Sequence, residues 1–268
     1  MNVLLRGITN GALIMLPFLA CLVSCTVKED RSVCPCILEV CFTGRDLTED
    51  PVILAGWNDD RVFDETIRMS DYPEAYKRKV PRSMLSFGAV SGLVSNVIDG
   101  HTVRIPVGCE CDSLYGYCDH VDCMGEKART TVEFHKQFAT VNLGILHSDL
   151  SDEDCTFLVS SGSCGIDMLA CRALEGEFWF EPALIEGNRM HFRLPRQYDG
   201  SLSLTVRDRV GNDVVFPLGR YILAIGYDWN ATDLQDIYLT LDINRGKVSV
   251  GIADWEMAEE FELTKVEM

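Results

Sequence analysis

The sequence lacks the short motifs that mark common catalytic sites. It has no Gly-x-Ser-x-Gly motif of a hydrolase nucleophile and no glycine-rich loop that would cradle a phosphate. Its five histidines are scattered along the chain, and the acidic residues around Trp57 lack the glycine and glutamate spacing of an EF-hand calcium loop. We therefore predict a protein that is not an enzyme and that has no metal or other cofactor.

Positive charge is scarce. The chain has 24 lysines and arginines against 41 aspartates and glutamates, which gives a formal net charge of −17 at pH 7. An acidic surface repels phosphate backbones and anionic lipid headgroups. The charge balance therefore argues against nucleic acid as a partner and means that attachment to a membrane would need a separate device.

A long hydrophobic run is also missing. The most apolar segment, residues 11–23, is interrupted by Gly11 and Pro17 and is shorter than the roughly 20 apolar residues that span a bilayer. It is typical of a signal-peptide core. The Leu-Val-Ser-Cys sequence that ends at Cys25 matches a lipobox, in which the peptidase needs an apolar residue, a small residue and then the cysteine that receives diacylglycerol.

We therefore predict that residues 1–24 are a lipoprotein signal peptide and that Cys25 is lipidated. Each buried methylene of the acyl chains contributes about 0.8 kcal/mol, so several chains give stable anchoring. The charged Lys28-Glu29-Asp30 that follows resembles the tag that directs some Bacteroidetes lipoproteins to the cell surface. An ordinary secretory signal with a chance cysteine is the alternative.

Cysteine is abundant, with twelve in the chain, and an even number remains after the leader and the lipidated cysteine are set aside. In the cell envelope such residues are candidates for disulfides, but their connectivity does not follow from the sequence. The ten are Cys34, Cys36, Cys41, Cys109, Cys111, Cys118, Cys123, Cys155, Cys164 and Cys171. They form three groups, which favours pairing within a group. The middle group with His120 could hold zinc, but its spacing is not that of a zinc finger, so disulfides or buried thiols are preferred.

The mature chain has little helical periodicity and many short apolar runs separated by turn residues. This pattern predicts an all-β fold, and at this length it favours two β-sandwiches over one. We place the boundary between residues 25–127 and 128–268. Residues 130–145 read as one long strand that bends or changes sheets near Lys136, residues 219–227 as a strand, and residues 166–174 as the best helical turn.

Three aromatic residues, Trp57, Tyr227 and Trp229, stand beside acidic residues, as in sugar-stacking sites. A tryptophan at a strand end more often fills a sandwich core. A surface protein that binds glycans through these rings is therefore retained as a second hypothesis.

Four stretches of the mature chain together resemble a known family. No single stretch is specific, and the resemblance comes from the order in which they occur. They are residues 25–36, residues 103–108 with Leu114 and Tyr115, residues 132–143, and residues 218–237 followed by a closing strand to Trp255. In this order they resemble the FimB/Mfa2 family, the lipoproteins that anchor fimbriae in Bacteroides and its relatives.

The resemblance implies two tandem transthyretin-like Greek-key sandwiches and a lipid-anchored protein in the outer membrane, exposed at the surface. It also implies that the protein holds a fimbrial shaft subunit by β-strand exchange and limits fibre growth. The tail, residues 260–268, is a candidate donor strand with Phe261, Leu263 and Val266 as its apolar residues. A frayed terminus, an adhesive tip protein and a protein with host or glycan ligands remain as alternatives.

Overall fold

Strands dominate the computed structural model, which describes residues 34–44, 51–146, 155–185, 188–243, 247–252 and 259–262. Ten strands belong to the first half: β1 (Cys36–Thr43), β2 (Pro51–Trp57), β3 (Arg61–Arg68), β4 (Tyr76–Val80), β5 (Met84–Ser91), β6 (Val97–Asp99), β7 (Thr102–Arg104), β8 (Tyr115–Asp122), β9 (Lys127–Glu133) and β10 (His135–Lys136). A 3₁₀ turn, Met69–Asp71, separates β3 from β4.

The second half adds nine strands and a short helix within the described residues. These are β11 (Phe138–Ile145), β12 (Cys155–Asp167), β13 (Arg172–Phe180), β14 (Arg189–Pro195), β15 (Ser203–Asp208), β16 (Asp213–Phe216), α1 (Leu218–Ala224), β17 (Ile237–Asp242), β18 (Lys247–Ile252) and β19 (Glu259–Glu262). The all-β prediction is confirmed.

The first half forms a β-sandwich. Sheet I has the order β4-β1-β9, and sheet II has the order β10-β8-β5-β2-β3. Their apolar residues alternate along each strand, as in β9, where every second residue is buried. One core, which includes Leu38 of sheet I and Phe87 of sheet II, fills the space between the sheets.

The second half forms another sandwich, and the first half contributes to it. Sheet III has the order β14-β11-β17-β18-β19, and sheet IV has the order β16-β15-β12-β7-β6, with β13 also paired to β12. The hairpin β6–β7 therefore lies in a sheet of the second half, where Arg104 pairs with Gly165. Phe157, Phe192 and Phe216 belong to the core between these sheets.

The chain crosses between the sandwiches at residues 133–138. β9 pairs with β1 in sheet I, β10 pairs with β8 in sheet II, and β11 pairs with β14 in sheet III. The predicted change of sheets near Lys136 is therefore confirmed. The predicted domain boundary at residue 128 stays a prediction, and the pairing of β9 with β1 favours a crossing after Glu133.

Two local predictions were wrong. Residues 166–174, the best candidate for a helical turn, contain the end of β12, a turn at residues 168–171 and the start of β13, and none of them is helical. Residues 219–227 were predicted as a strand, but residues 218–224 form α1, which buries Leu218 and Ile222 one turn apart against the second core. The apolar residues in this segment fit strand and helix spacing equally well, and packing decides between them.

None of the helices among the described residues is long and apolar enough to cross a bilayer.

The outer face of sheet II is lined by small residues, which let the turn at Met168 approach closely. A Cβ added to Gly88 would lie 2.3 Å from the main-chain oxygen of Met168, whereas a Cβ on Gly144 of β11 would meet nothing closer than 3.9 Å. The absence of a side chain at Gly88 therefore allows the sandwiches to pack together.

We expect Gly88→Ala to lower the free energy of unfolding by about 1–3 kcal/mol, because the new methyl group must displace main-chain atoms. Gly144→Ala is the matched control, since it also changes a strand glycine but meets only ordinary contacts. Denaturant unfolding of the full chain measures both. Equal stability of the two variants would show that the contact between Gly88 and Met168 does not hold the sandwiches together.

Candidate functional site

The crossing between the sandwiches is built on Gln137, which is buried. Its main-chain N–H donates to the Leu114 oxygen at 2.9 Å. Its side-chain oxygen Oε1 accepts hydrogen bonds from the Arg196 guanidinium, at 2.8 Å from Nη2 and 3.2 Å from Nε. One residue, through its main chain and its side chain, therefore joins the loop before β8, the crossing segment and the end of β14.

Arg196 is only 4% exposed and follows β14 directly. Besides Gln137, its guanidinium donates to the main-chain oxygens of Trp229 at 2.5 Å, Ala231 at 2.8 Å and Thr232 at 3.4 Å. All four acceptors are neutral, and burial lowers the pKa of Arg196 from its usual value. The cation is held by the side-chain oxygen of Gln137 and by the main-chain carbonyl groups of one loop, and not by a carboxylate.

Two aspartates attach the same loop to the crossing from the other side. Asp233 accepts a hydrogen bond from the Lys136 N–H at 2.6 Å and contacts Nδ1 of His135 at 2.9 Å. Asp236 pairs with the Lys136 ammonium group and accepts from the Thr140 N–H at 3.2 Å. Burial acts to raise the pKa of Asp236, but the hydrogen bonds from Lys136 and Thr140 outweigh it and lower that pKa. An open depression of about 400 Å³ lies beside this pair of segments.

The segment Glu110–Cys111–Asp112 is a second link between the halves. The buried Asp112 carboxylate accepts three hydrogen bonds from successive main-chain N–H groups, at 2.8 Å from Val94, 2.8 Å from Ser95 and 2.7 Å from Asn96. Glu110 accepts from the Arg193 N–H at 2.7 Å, and the Arg193 side chain donates to the Cys111 oxygen at 2.8 Å. The cysteine-rich segment is therefore a structural brace between its own loop and β14.

These contacts bring together parts of three of the four sequence stretches that carry the family resemblance. Asp233, Leu234 and Asp236 of the fourth stretch contact residues 135–140 of the third, and Leu114 and Tyr115 pair with Gln137 and Lys136. Part of the resemblance therefore rests on residues that join the two sandwiches. Arg196 was missed, because an arginine at the end of an apolar strand is usually exposed and nothing in the local pattern indicates burial.

The structure brings cysteines of different groups together. Cys36 contacts Cys123 inside the first sandwich, and Cys118 contacts Cys171 across the junction. The expectation that pairing stays within groups is not supported by these contacts. All ten described cysteines are free thiols here.

The remaining thiols differ in setting. Cys111 is fully buried, which raises its pKa, and Cys164 is buried with its sulfur 3.6 Å from the Glu175 oxygen. Within the described ranges, no group of cysteine, histidine and acidic side chains could hold a metal ion.

Two of the three aromatic residues singled out for sugar stacking are buried. Tyr227 and Trp229 are 5% and 4% exposed, their ring centroids lie 4.6 Å apart, and the Tyr227 hydroxyl donates to the Gln235 oxygen at 2.7 Å. Neither ring can stack on a sugar at the surface, so that hypothesis was wrong for both. Trp57 is half-buried and meets the His101 ring edge-on at 5.3 Å.

The candidate donor segment lies at a sheet edge. β19 is the last strand of sheet III and pairs antiparallel with β18, with Phe261 opposite Val248. Leu263, Val266 and the predicted lipidation site Cys25 lie outside the described residues.

Comparison with known proteins finds likeness in structure only. No protein-family model matches the chain, and no curated protein matches it. A Bacteroides thetaiotaomicron protein described as a candidate polysaccharide-binding protein superposes with a TM-score of 0.62 and 14% identity, over 86% of this chain and 99% of its own.

Two further solved structures have similar scores. A candidate adhesin from Bacteroides ovatus has a TM-score of 0.58 and 11% identity, over 87% of this chain and 97% of its own. The fimbrial anchor protein Mfa2 from Porphyromonas gingivalis has a TM-score of 0.57 and 12% identity, over 83% of this chain and 98% of its own. At these identities the likeness shows a shared fold over almost the whole of each neighbour.

We expect Arg196→Leu to lower the free energy of unfolding by about 3 kcal/mol or more, because it leaves several buried oxygen acceptors without a donor. Arg207→Leu is the control, since Arg207 is also an arginine with hydrogen bonds to its neighbours, two to Asp213, but its side chain is exposed. Such a surface pair contributes little to stability. Denaturant unfolding of both variants measures the contrast, and a small effect at Arg196 would contradict the central role of this arginine.

Proposed function

We propose that this chain is a non-catalytic fimbrial lipoprotein that anchors a fimbria to the outer membrane. The observation that carries the proposal is the fold: two joined sandwiches that match the anchor protein Mfa2 over 98% of its chain, preceded in the sequence by a lipobox. Neither feature alone indicates an anchor, because sandwiches serve many functions and lipoproteins have many folds.

The proposed tether is short. The first strand begins at Cys36, close in sequence to the predicted lipid at Cys25. A protein tethered in this way would keep its first sandwich close to the membrane surface. Its acidic surface would not adhere to anionic headgroups, so the acyl chains would supply the attachment.

The proposed link to the shaft is strand exchange. A strand edge offers unpaired N–H and C=O groups, and an added strand gains main-chain hydrogen bonds while side chains supply specificity. In sheet III that edge is formed by β19, so leaving it would free both the tail and the edge of β18. The shaft subunit would take the tail as its missing strand, and an anchor at the base would limit growth and prevent shedding.

A surface glycan-binding or adhesive protein is the second candidate function. It is favoured by the likeness to the Bacteroides thetaiotaomicron protein described as a candidate for polysaccharide binding. The burial of Tyr227 and Trp229 removes two of the three rings that such binding would have used. The anchor is therefore the function that we place first.

In the native strain we expect Cys25→Ala to release this protein from the membrane fraction and to give fibres that are shed or overlong. Electron microscopy of cells and medium, with labelling of this protein, measures the result. Cys21→Ala is the matched control, because that cysteine lies in the predicted leader and its loss leaves the lipobox cysteine in place. Attached, normal fibres in cells whose mutant protein has left the membrane would exclude the anchor and favour glycan binding.

We expect Phe261→Asp to leave the protein in the membrane but to detach the fibres, since a charged residue would oppose insertion of the tail into a neighbour's core. Glu260→Gln changes the adjacent residue of the same strand and serves as the control. The readout is co-purification of shaft subunit with the anchor. If the Phe261 variant still co-purified with the shaft subunit at the wild-type level, the tail would not be the donor strand. The proposal of a lipid anchor at Cys25 would be unaffected.

A further inference from the structure

The junction between the sandwiches contains two thiols in contact. Cys118 lies on β8 of the first sandwich, and Cys171 ends the turn between β12 and β13 of the second. Their side chains are hydrogen-bonded to each other, and both are partly exposed. They belong to different sandwiches and to distant parts of the sequence.

Residues next to Cys118 shape the surface against which the turn with Cys171 packs. Residues of β8 alternate in direction, so Gly116 and Cys118 share a face. A Cβ on Gly116 would lie 3.8 Å from the Cys171 sulfur, which places this sulfur against the face. Gly88, the cross-strand partner of Cys118, receives the main-chain oxygen of Met168 from the same turn. The absence of side chains at Gly88 and Gly116 therefore leaves space for the turn that contains Cys171.

The backbone of the turn is held in an unusual conformation at this cysteine. Cys171 has a φ of 49°, in the left-handed region that residues other than glycine seldom adopt. Such a conformation persists where the surrounding structure imposes it. Here it sets the direction in which the Cys171 side chain leaves the turn.

We propose that Cys118 and Cys171 form a disulfide that links the two sandwiches covalently in an oxidising compartment. The reaction is an exchange with a disulfide-bearing oxidant, either a protein of the thiol–disulfide oxidoreductase class or a small disulfide. The Cys118 thiolate attacks the oxidant and displaces one of its sulfurs as a thiolate. The Cys171 thiolate then attacks Cys118 and displaces the other. Both cysteine protons are released, and the two electrons reduce the oxidant to two thiols.

The surroundings favour the first step at Cys118. The hydrogen bond from Cys171 lowers the pKa of Cys118 to about 7, and the nearby Arg196 guanidinium also lowers it. The thiolate is the nucleophile in exchange, and a thiol with a pKa close to the ambient pH attacks fastest. Partial exposure gives the oxidant access to this sulfur, whereas Cys111 in the neighbouring loop is fully buried.

The test uses the purified full chain, reduced and then exposed to oxidised glutathione without denaturant. Remaining thiols are alkylated, and the peptides are mapped by mass spectrometry without reduction. We expect a linked peptide that contains Cys118 and Cys171, lost in Cys171→Ser and retained in the control Cys109→Ser. In the Cys171→Ser variant we expect Cys118 to accumulate as a mixed disulfide with glutathione.

Three outcomes would overturn the proposal. These are alkylation of Cys118 and Cys171 as free thiols in the oxidised wild-type chain, a link from either residue to a third cysteine, and a stable glutathione adduct on Cys118 with Cys171 still free. The wild-type map decides the matter even if a serine variant folds poorly. The result does not depend on whether the protein is an anchor, because it requires no fimbria and no lipid.

Discussion

The buried guanidinium of Arg196 is the interaction on which the arrangement of the two sandwiches depends. A buried cation is stable only where its hydrogen-bonding groups find acceptors. Here these acceptors come from the crossing segment and from the loop before β17. All of these hydrogen bonds can form together only when the end of β14, the crossing segment and the loop are in one arrangement, so this side chain links three separate parts of the chain.

The junction combines this polar centre with close main-chain packing. The glycines of sheet II admit the turn at Met168, and the carboxylate of Asp112 holds three N–H groups of a loop that would otherwise end unpaired. Small side chains give contact area but no direction, whereas hydrogen bonds give direction. Together they fix both the distance and the orientation of the sandwiches, which a flexible linker would leave free.

The fold class followed from the sequence because alternation along strands is a local pattern that burial reinforces. β9 and β17 show it residue by residue, and β1 shows it over its first five residues. The sites were harder to predict, since they depend on contacts between residues that are distant in sequence. Cys118 and Cys171 lay in different cysteine groups, and the segment at Leu218 could have formed either a helix or a strand. For Trp229 the general expectation that a tryptophan at a strand end fills the core agrees with its burial, whereas the more specific hypothesis of a sugar-stacking site does not.

The parallel pairing of β1 with β9 has a mechanical consequence. β1 is the first strand, and it runs beside β9 over the register pairs from Ile37–Lys127 to Thr43–Glu133. A pull that enters at the start of β1 and leaves past the end of β9 would drag the two strands along each other in opposite directions. The hydrogen bonds between them would then be loaded together and would not break one after another, as they do when strands are peeled apart. This strand order would let a protein tethered at its N-terminus bear tension along its own length.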